Sequence, residues 1–119
     1  MKAILKEFYS LDIIEPLKDF RPLKTDNFGF WARMIVSEKN KGGDESFDIM
    51  ICTPTWLIEN HNKSDLLFGR HYLIVFEYNY QKIYSKINNF IDCIKGDSWE
   101  EIALKIGTIG RWEFEDYQP

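Results

Sequence analysis

The chain has 119 residues, 45% hydrophobic and 16% aromatic, with four prolines, seven glycines and two cysteines. A single domain of that length buries roughly two thirds of the surface its unfolded form exposes, so the composition excludes a disordered chain and needs no disulfide framework. A formal net charge of −4 without any basic tract argues against a nucleic-acid partner, whose affinity rests on clustered Lys and Arg releasing counterions, and favours a basic protein partner.

At the N-terminus, Met1-Lys2-Ala3-Ile4-Leu5-Lys6 meets charge too early for a signal peptide's apolar core. No apolar run approaches the ~20 residues of a membrane span. The expectation is a cytoplasmic protein that touches no membrane. Residues 2–9 alternate imperfectly and predict a first strand, and residues 11–26, interrupted by Pro16 and Pro22, read as a long surface loop. From Asn27 to Ser37 the alternation is clearer: Phe28, Phe30, Ala32, Met34 and Val36 share one face, Trp31, Arg33 and Ile35 the other. Both faces are largely apolar, which predicts a central strand covered on both sides. The polar run from Glu38 to Glu45 supplies a hairpin turn into a third strand, antiparallel to the second, where Phe47, Ile49 and Ile51 alternate with Asp48, Met50 and Cys52.

Thr53-Pro54 is a helix start, because the Thr hydroxyl accepts a first-turn N–H and proline lacks a donor that would be orphaned there. The short helix ends near Asn60-His61-Asn62. The run from His71 to Tyr78, rich in β-branched and aromatic residues, predicts a buried strand or else the opening of the next helix. That helix, capped by Asn79, spans Tyr80 to Ile94, with Tyr80, Ile83, Tyr84, Ile87, Phe90, Ile91 and Ile94 on one stripe. At ~1.5 to 3 kcal/mol for each buried side chain, the stripe is worth ~10 to 20 kcal/mol before entropy. Ser98-Trp99-Glu100-Glu101 is a capping box opening another helix that Gly107 ends. Cys52 and Cys93 fall within apolar-periodic stretches and read as reduced core thiols.

The last ten residues predict a closing strand with Trp112 and Phe114 facing a core and Arg111, Glu113, Glu115 and Tyr117 facing outward. Residues 97–119 hold six acids against two bases, while the remaining chain holds thirteen of each, so the whole net charge lies in this final fifth. Acids at Glu113, Glu115 and Asp116 repel one another along a strand, and a cationic partner would reward that arrangement. Glu100, in a helix first turn, has a simpler dipole explanation. The candidate partner-binding set is therefore Glu113, Glu115, Asp116, Tyr117, Arg111 and Glu100, with Tyr117 as an aromatic anchor.

Several segments together give the chain a family likeness: Ser46-Phe47-Asp48-Ile49 leading to Cys52-Thr53-Pro54-Thr55-Trp56-Leu57, Phe68-Gly69-Arg70-His71 through Leu73–Tyr78, Ser98–Ala103, and Ile109–Tyr117. In these the chain resembles the immunity protein 8 family of bacterial polymorphic toxin systems, over roughly residues 27–117. The resemblance implies a small cytoplasmic α+β protein that binds and blocks the product of a neighbouring toxin gene. None of the shared segments is a catalytic signature.

Catalytic chemistry finds little support in the residues. The histidines His61 and His71 stand alone, with no HExxH or Cys-x-x-Cys spacing for zinc, and each reads as a surface or core-satisfied histidine. Gly107-Thr108-Ile109-Gly110 is too short to cradle a phosphate. Glu113 and Glu115, ~7 Å apart along a strand, could serve acid–base chemistry, but an exposed edge lacks the burial that separates carboxylate pKa values. The expectation is a single α+β domain over residues 1–119. It is a largely antiparallel sheet of about five strands with two to three helices, monomeric or weakly dimeric, without cofactor or metal. Its predicted role is toxin neutralisation. The alternatives are an acidic adaptor module and, less well supported, a small carboxylate-dependent hydrolase.

Overall fold

Alternation and helical periodicity convert into eight elements in a computed structural model that describes residues 1–114: β1 (Ala3–Ser10), β2 (Gly29–Glu38), β3 (Gly42–Cys52), α1 (Pro54–Asn60), β4 (Tyr72–Ile74), α2 (Tyr80–Cys93), α3 (Trp99–Ile106) and β5 (Arg111–Trp112). The class is α+β, with one five-stranded, mostly antiparallel sheet and three helices. β2 and β3 pair antiparallel, setting Phe30 opposite Ile51, Ala32 opposite Ile49 and Met34 opposite Phe47. All six are buried, because directly opposed residues project from the same side of a sheet. The connecting turn places Asn40, Gly42 and Gly43 at positive φ, a region these residue types enter at low cost.

β1 lies antiparallel on the far edge of β2, with a register shift between Leu5 and Glu7. Since β2 occupies one edge of β3, β4 and β5 share the other: β4 runs parallel beside Met50–Cys52 and β5 antiparallel beside Phe47–Asp48. The two short strands therefore sit end to end along one edge.

Local caps set the helices. The Thr53 hydroxyl accepts from the Trp56 amide at 3.3 Å, Asn79 Oδ1 from Lys82 at 3.1 Å and Ser98 Oγ from Glu101 at 3.1 Å. The Glu101 carboxylate reaches the Asp97 amide at 2.9 Å and lies 3.3 Å from Lys105; together these hold it below the usual carboxylate range, the Asp97 amide contributing most. Ile83, Ile87 and Ile91 of α2 and Ile102, Ala103 and Ile106 of α3 join Phe30, Met34, Val36, Phe47, Ile49 and Ile51 in one core. Residues 11–28 carry neither helix nor strand, yet send Leu17 into that core. The Tyr78 hydroxyl donates to the Leu17 carbonyl at 2.7 Å, and burial pushes this phenol up to about 12.

Four expectations change. β2 is covered on one face: Phe30, Ala32, Met34 and Val36 are buried, whereas Trp31 is 41% exposed, because both long helices pack on the same side. The run after His71 holds only three strand residues, since the chain leaves the edge for Tyr78 to donate its amide to Thr25 O at 2.7 Å and to enter an aromatic cluster with Phe20 and Phe28. The closing strand is two residues long and Phe114 is 47% exposed, packing edge-on against Trp112 rather than entering the core. Cys93 is exposed: two residues beyond Ile91 is about half a turn around a helix, which points it away from the sheet.

Candidate functional site

The strand registers assemble a second surface from the side chains that alternate with the core. Opposed residues give three rows across the uncovered face. Trp31, Met50 and Tyr72 form one, Tyr9, Arg33, Asp48 and Arg111 the next, and Glu7, Ile35 and Ser46 the third. Arg33 clasps Asp48 with two parallel hydrogen bonds, Nε to Oδ1 at 2.8 Å and Nη2 to Oδ2 at 3.1 Å. This pairing raises the guanidinium above its ordinary value against the opposing effect of burial, with smaller help from Tyr9. Trp31 meets Tyr72 edge-to-face at 6.4 Å. Trp31, Tyr72 and Arg33, partly exposed on this face with the buried Met50 among them, are of residue types enriched at protein–protein contacts.

Among the described residues, α1 reaches this face at one end. A Cβ on Gly29 would stand 2.3 Å from the Trp56 ring, so the missing side chain is what lets the indole lie on the strand. His61 packs edge-on against Trp56 at 6.3 Å, with Nδ1 3.4 Å from Asp65. The chain then crosses an exposed loop and returns through Gly69 and His71, both at positive φ. His71 is buried, donates Nε2–H to the Gly107 carbonyl at 2.9 Å, and its own carbonyl accepts from the Met50 amide at 2.8 Å. It is a core-satisfied histidine that ties the loop's end to β3 and to the end of α3.

At the other end of the same edge, β5 brings Arg111 opposite Asp48 and leaves it exposed. Glu113 continues the ladder: its amide donates to Ser46 O at 3.1 Å and its Oε1 accepts from the Ser46 amide at 3.2 Å. One carboxylate oxygen thus replaces the backbone acceptor a longer strand would have supplied. Arg111 and Glu113 are the two predicted contact residues that the structure brings together. Glu100 sits on α3, in the layer packed behind the opposite face. Glu115, Asp116 and Tyr117 lie outside the described residues.

Sequence reading missed Trp31, Tyr72, Ile58, Leu66 and Phe68 as surface features. Alternation assigned Trp31 to a covered face, while Leu66-Leu67-Phe68 carried a usable signal, three large apolar residues following a helix stop without a periodic partner. Among the described residues, no group of three or more His, Cys, Asp or Glu is placed to hold a metal, and no helix is long and apolar enough to cross a membrane.

No curated protein and no solved structure matches the chain. The family model described as immunity protein 8 matches residues 3–117, taking in every strand and helix from β1 to β5. With that match spanning nearly the whole sequence, the chain belongs to the immunity protein 8 family.

Proposed function

We propose that the protein binds the toxin domain encoded beside it in a bacterial polymorphic toxin or contact-dependent inhibition system, and neutralises it in the cytoplasm by occluding the surface its substrate must reach. The observation that carries this reading is the immunity-family match across residues 3–117. The toxin is a nuclease or another enzyme with a basic face, and it meets the acidic C-terminal segment: Glu113, Glu115, Asp116 and Tyr117, with Arg111 and Glu100 flanking. Support comes from the exposure of Arg111 and Glu113 together on a sheet edge and from the concentration of net charge in residues 97–119. Complementary charge of this kind chiefly raises association rates. The inhibitor acts as a monomer or weak homodimer and needs no cofactor.

Expression of the neighbouring gene alone and together with this one tests the reading. The expected result is toxicity alone and protection in combination; toxicity undiminished by co-expression would overturn it and leave the acidic adaptor. The charged segment is tested by Glu113→Lys with Glu115→Lys, which should slow association and weaken protection. Turnover of a substrate abolished by either Glu→Gln change would instead favour the hydrolase.

A further inference from the structure

We infer that the open edge of β4 takes up an extended segment of a partner protein as an added strand, with an apolar residue and a carboxylate at alternate positions on its α2 side. The inference goes beyond toxin neutralisation and stands apart from the acidic segment. β4 ends the strand order of the sheet and pairs only with β3 among the described strands. The ladder fixes which of its backbone groups are used. The Met50 amide donates to the His71 carbonyl at 2.8 Å and the Val75 amide to the Cys52 carbonyl at 2.9 Å. Bonding residues alternate along each strand of a parallel pair, so residues 71, 73 and 75 serve β3. The N–H and C=O of Ile74 and the C=O of Tyr72 therefore point to the open side, and among the described residues no hydrogen bond uses them. The sheet's other edge is blunted: β1 breaks register between Leu5 and Glu7, the Lys6 amine is held by Asp44, and Lys2 bridges to Lys95.

The groove beside that edge selects the side chains. Between β4 and α2 lies a cleft of about 370 Å³ whose lining includes Leu73, Val75 and Ile83, with Lys82 and Lys86 along α2. Leu73 and Val75 are only partly buried where they pack on the core. Lys82 and Lys86 stand about one turn apart on α2, both exposed, and neither makes an ion pair among the described residues. Glu77 also lines the cleft, so its charged lining is two bases against one acid. Two ammonium groups on neighbouring turns favour a carboxylate, and a strand laid along β4 brings every second side chain to the α2 side. One such side chain fills the cleft against Ile83 and the next reaches the lysines. Backbone hydrogen bonds then supply affinity and the cleft supplies selectivity, as in strand addition generally. A lipid headgroup would answer the lysines but offers no row of donors and acceptors to the strand edge.

The test is an amide-resolved NMR titration of the full chain with an acetylated octapeptide carrying Val and Glu in alternation along one face and Thr along the other. Saturable shifts should centre on residues 72–76 and 82–86. Affinity should fall at least about tenfold in Lys82→Glu with Lys86→Glu, and equally when Lys replaces Glu in the peptide. Ile74→Pro removes the outward N–H without touching the β3 ladder, a substitution an edge strand tolerates. Its binding should fall likewise while its melting temperature stays within a few degrees of wild type. Should that variant unfold, N-methylation of every second peptide amide, in each of the two phases, makes the same test on the ligand, and at least one phase should lose binding. No saturable shift with the Glu peptide, equal binding of the Lys peptide, or binding unchanged by both methylation phases would overturn the inference. The same shifts on self-association of wild type, or on addition of phosphatidylglycerol vesicles, would assign the edge to a second copy or a lipid surface and overturn it as well.

Discussion

The two faces of β2 and β3 are built from the same strands and similar residue types, yet have different occupants. On one, Phe30, Met34, Phe47 and Ile51 meet the isoleucines of α2 and α3. On the other, Trp31, Tyr72 and the Arg33–Asp48 pair face outward, with α1 reaching one end. The difference teaches that apolar alternation marks which residues travel together, whereas the number of helices available to cover them decides which side becomes core. Two amphipathic helices of this length cover one side of a small sheet. The other side keeps apolar and aromatic groups in solvent, where they are available to a partner.

Core truncation should separate the faces most sharply. Phe47→Ala, at a fully buried site, should destabilise by about 3–5 kcal/mol, whereas Trp31→Ala should cost about 1 kcal/mol or less. Equal losses in denaturant unfolding would mean that the second face is covered after all. Gly29→Ala comes next: its methyl would sit 2.3 Å from the Trp56 ring, so overpacking should cost about 1–3 kcal/mol and shift tryptophan fluorescence as the indole lifts from the sheet. Arg33→Met should cost less, about 0.2–1 kcal/mol, since the pair's side chains are 31% and 36% exposed and water screens them; added salt should shrink that loss further.

Alkaline pH probes the covered side through protonation. Burial raises the Cys52 thiol from 9.0 to about 11 and is the main cause raising the Tyr78 phenol from 10.0 to about 12. In both, the folded state holds its proton more tightly than the unfolded state, so the associated stability is complete below the unfolded values. It declines as pH rises from about 9 towards 12. Iodoacetamide on the native protein at pH 8 should therefore modify exposed Cys93 and spare Cys52, as mass spectrometry would show. The smallest expected effect on the fold is that of Glu113→Lys with Glu115→Lys, a melting temperature within a few degrees of wild type.

Signals confined to one turn of chain were legible in the sequence. Thr53-Pro54, Asn79 and Ser98 each cap the helix their residue types predict, because the cap and the amide it satisfies are three residues apart. The isoleucine stripe of α2 likewise followed from helical geometry. What stayed hidden depends on distant partners. β4 runs parallel to β3 because the chain crosses through α1 and the following loop before returning, and it is short because Tyr78 enters a cluster with Phe20 and Phe28. Cys93 shares its neighbourhood in sequence with Ile91 and Ile94 but faces outward. Of the proposed binding set, Arg111 and Glu113 were singled out from charge, and their juxtaposition on the β3 edge required the fold. Leu66 and Phe68 were passed over because an aperiodic apolar run predicts no element.

Hydrogen–deuterium exchange on the free protein and on its complex with the neighbouring toxin domain tests the division between a folding face and a binding face. The predicted result is new protection over residues 111–114 and over the β3 residues 46–50 beside them, with α2 unchanged. Protection confined to the outer surfaces of α2 and α3, with the uncovered side exchanging as it does in the free protein, would contradict it.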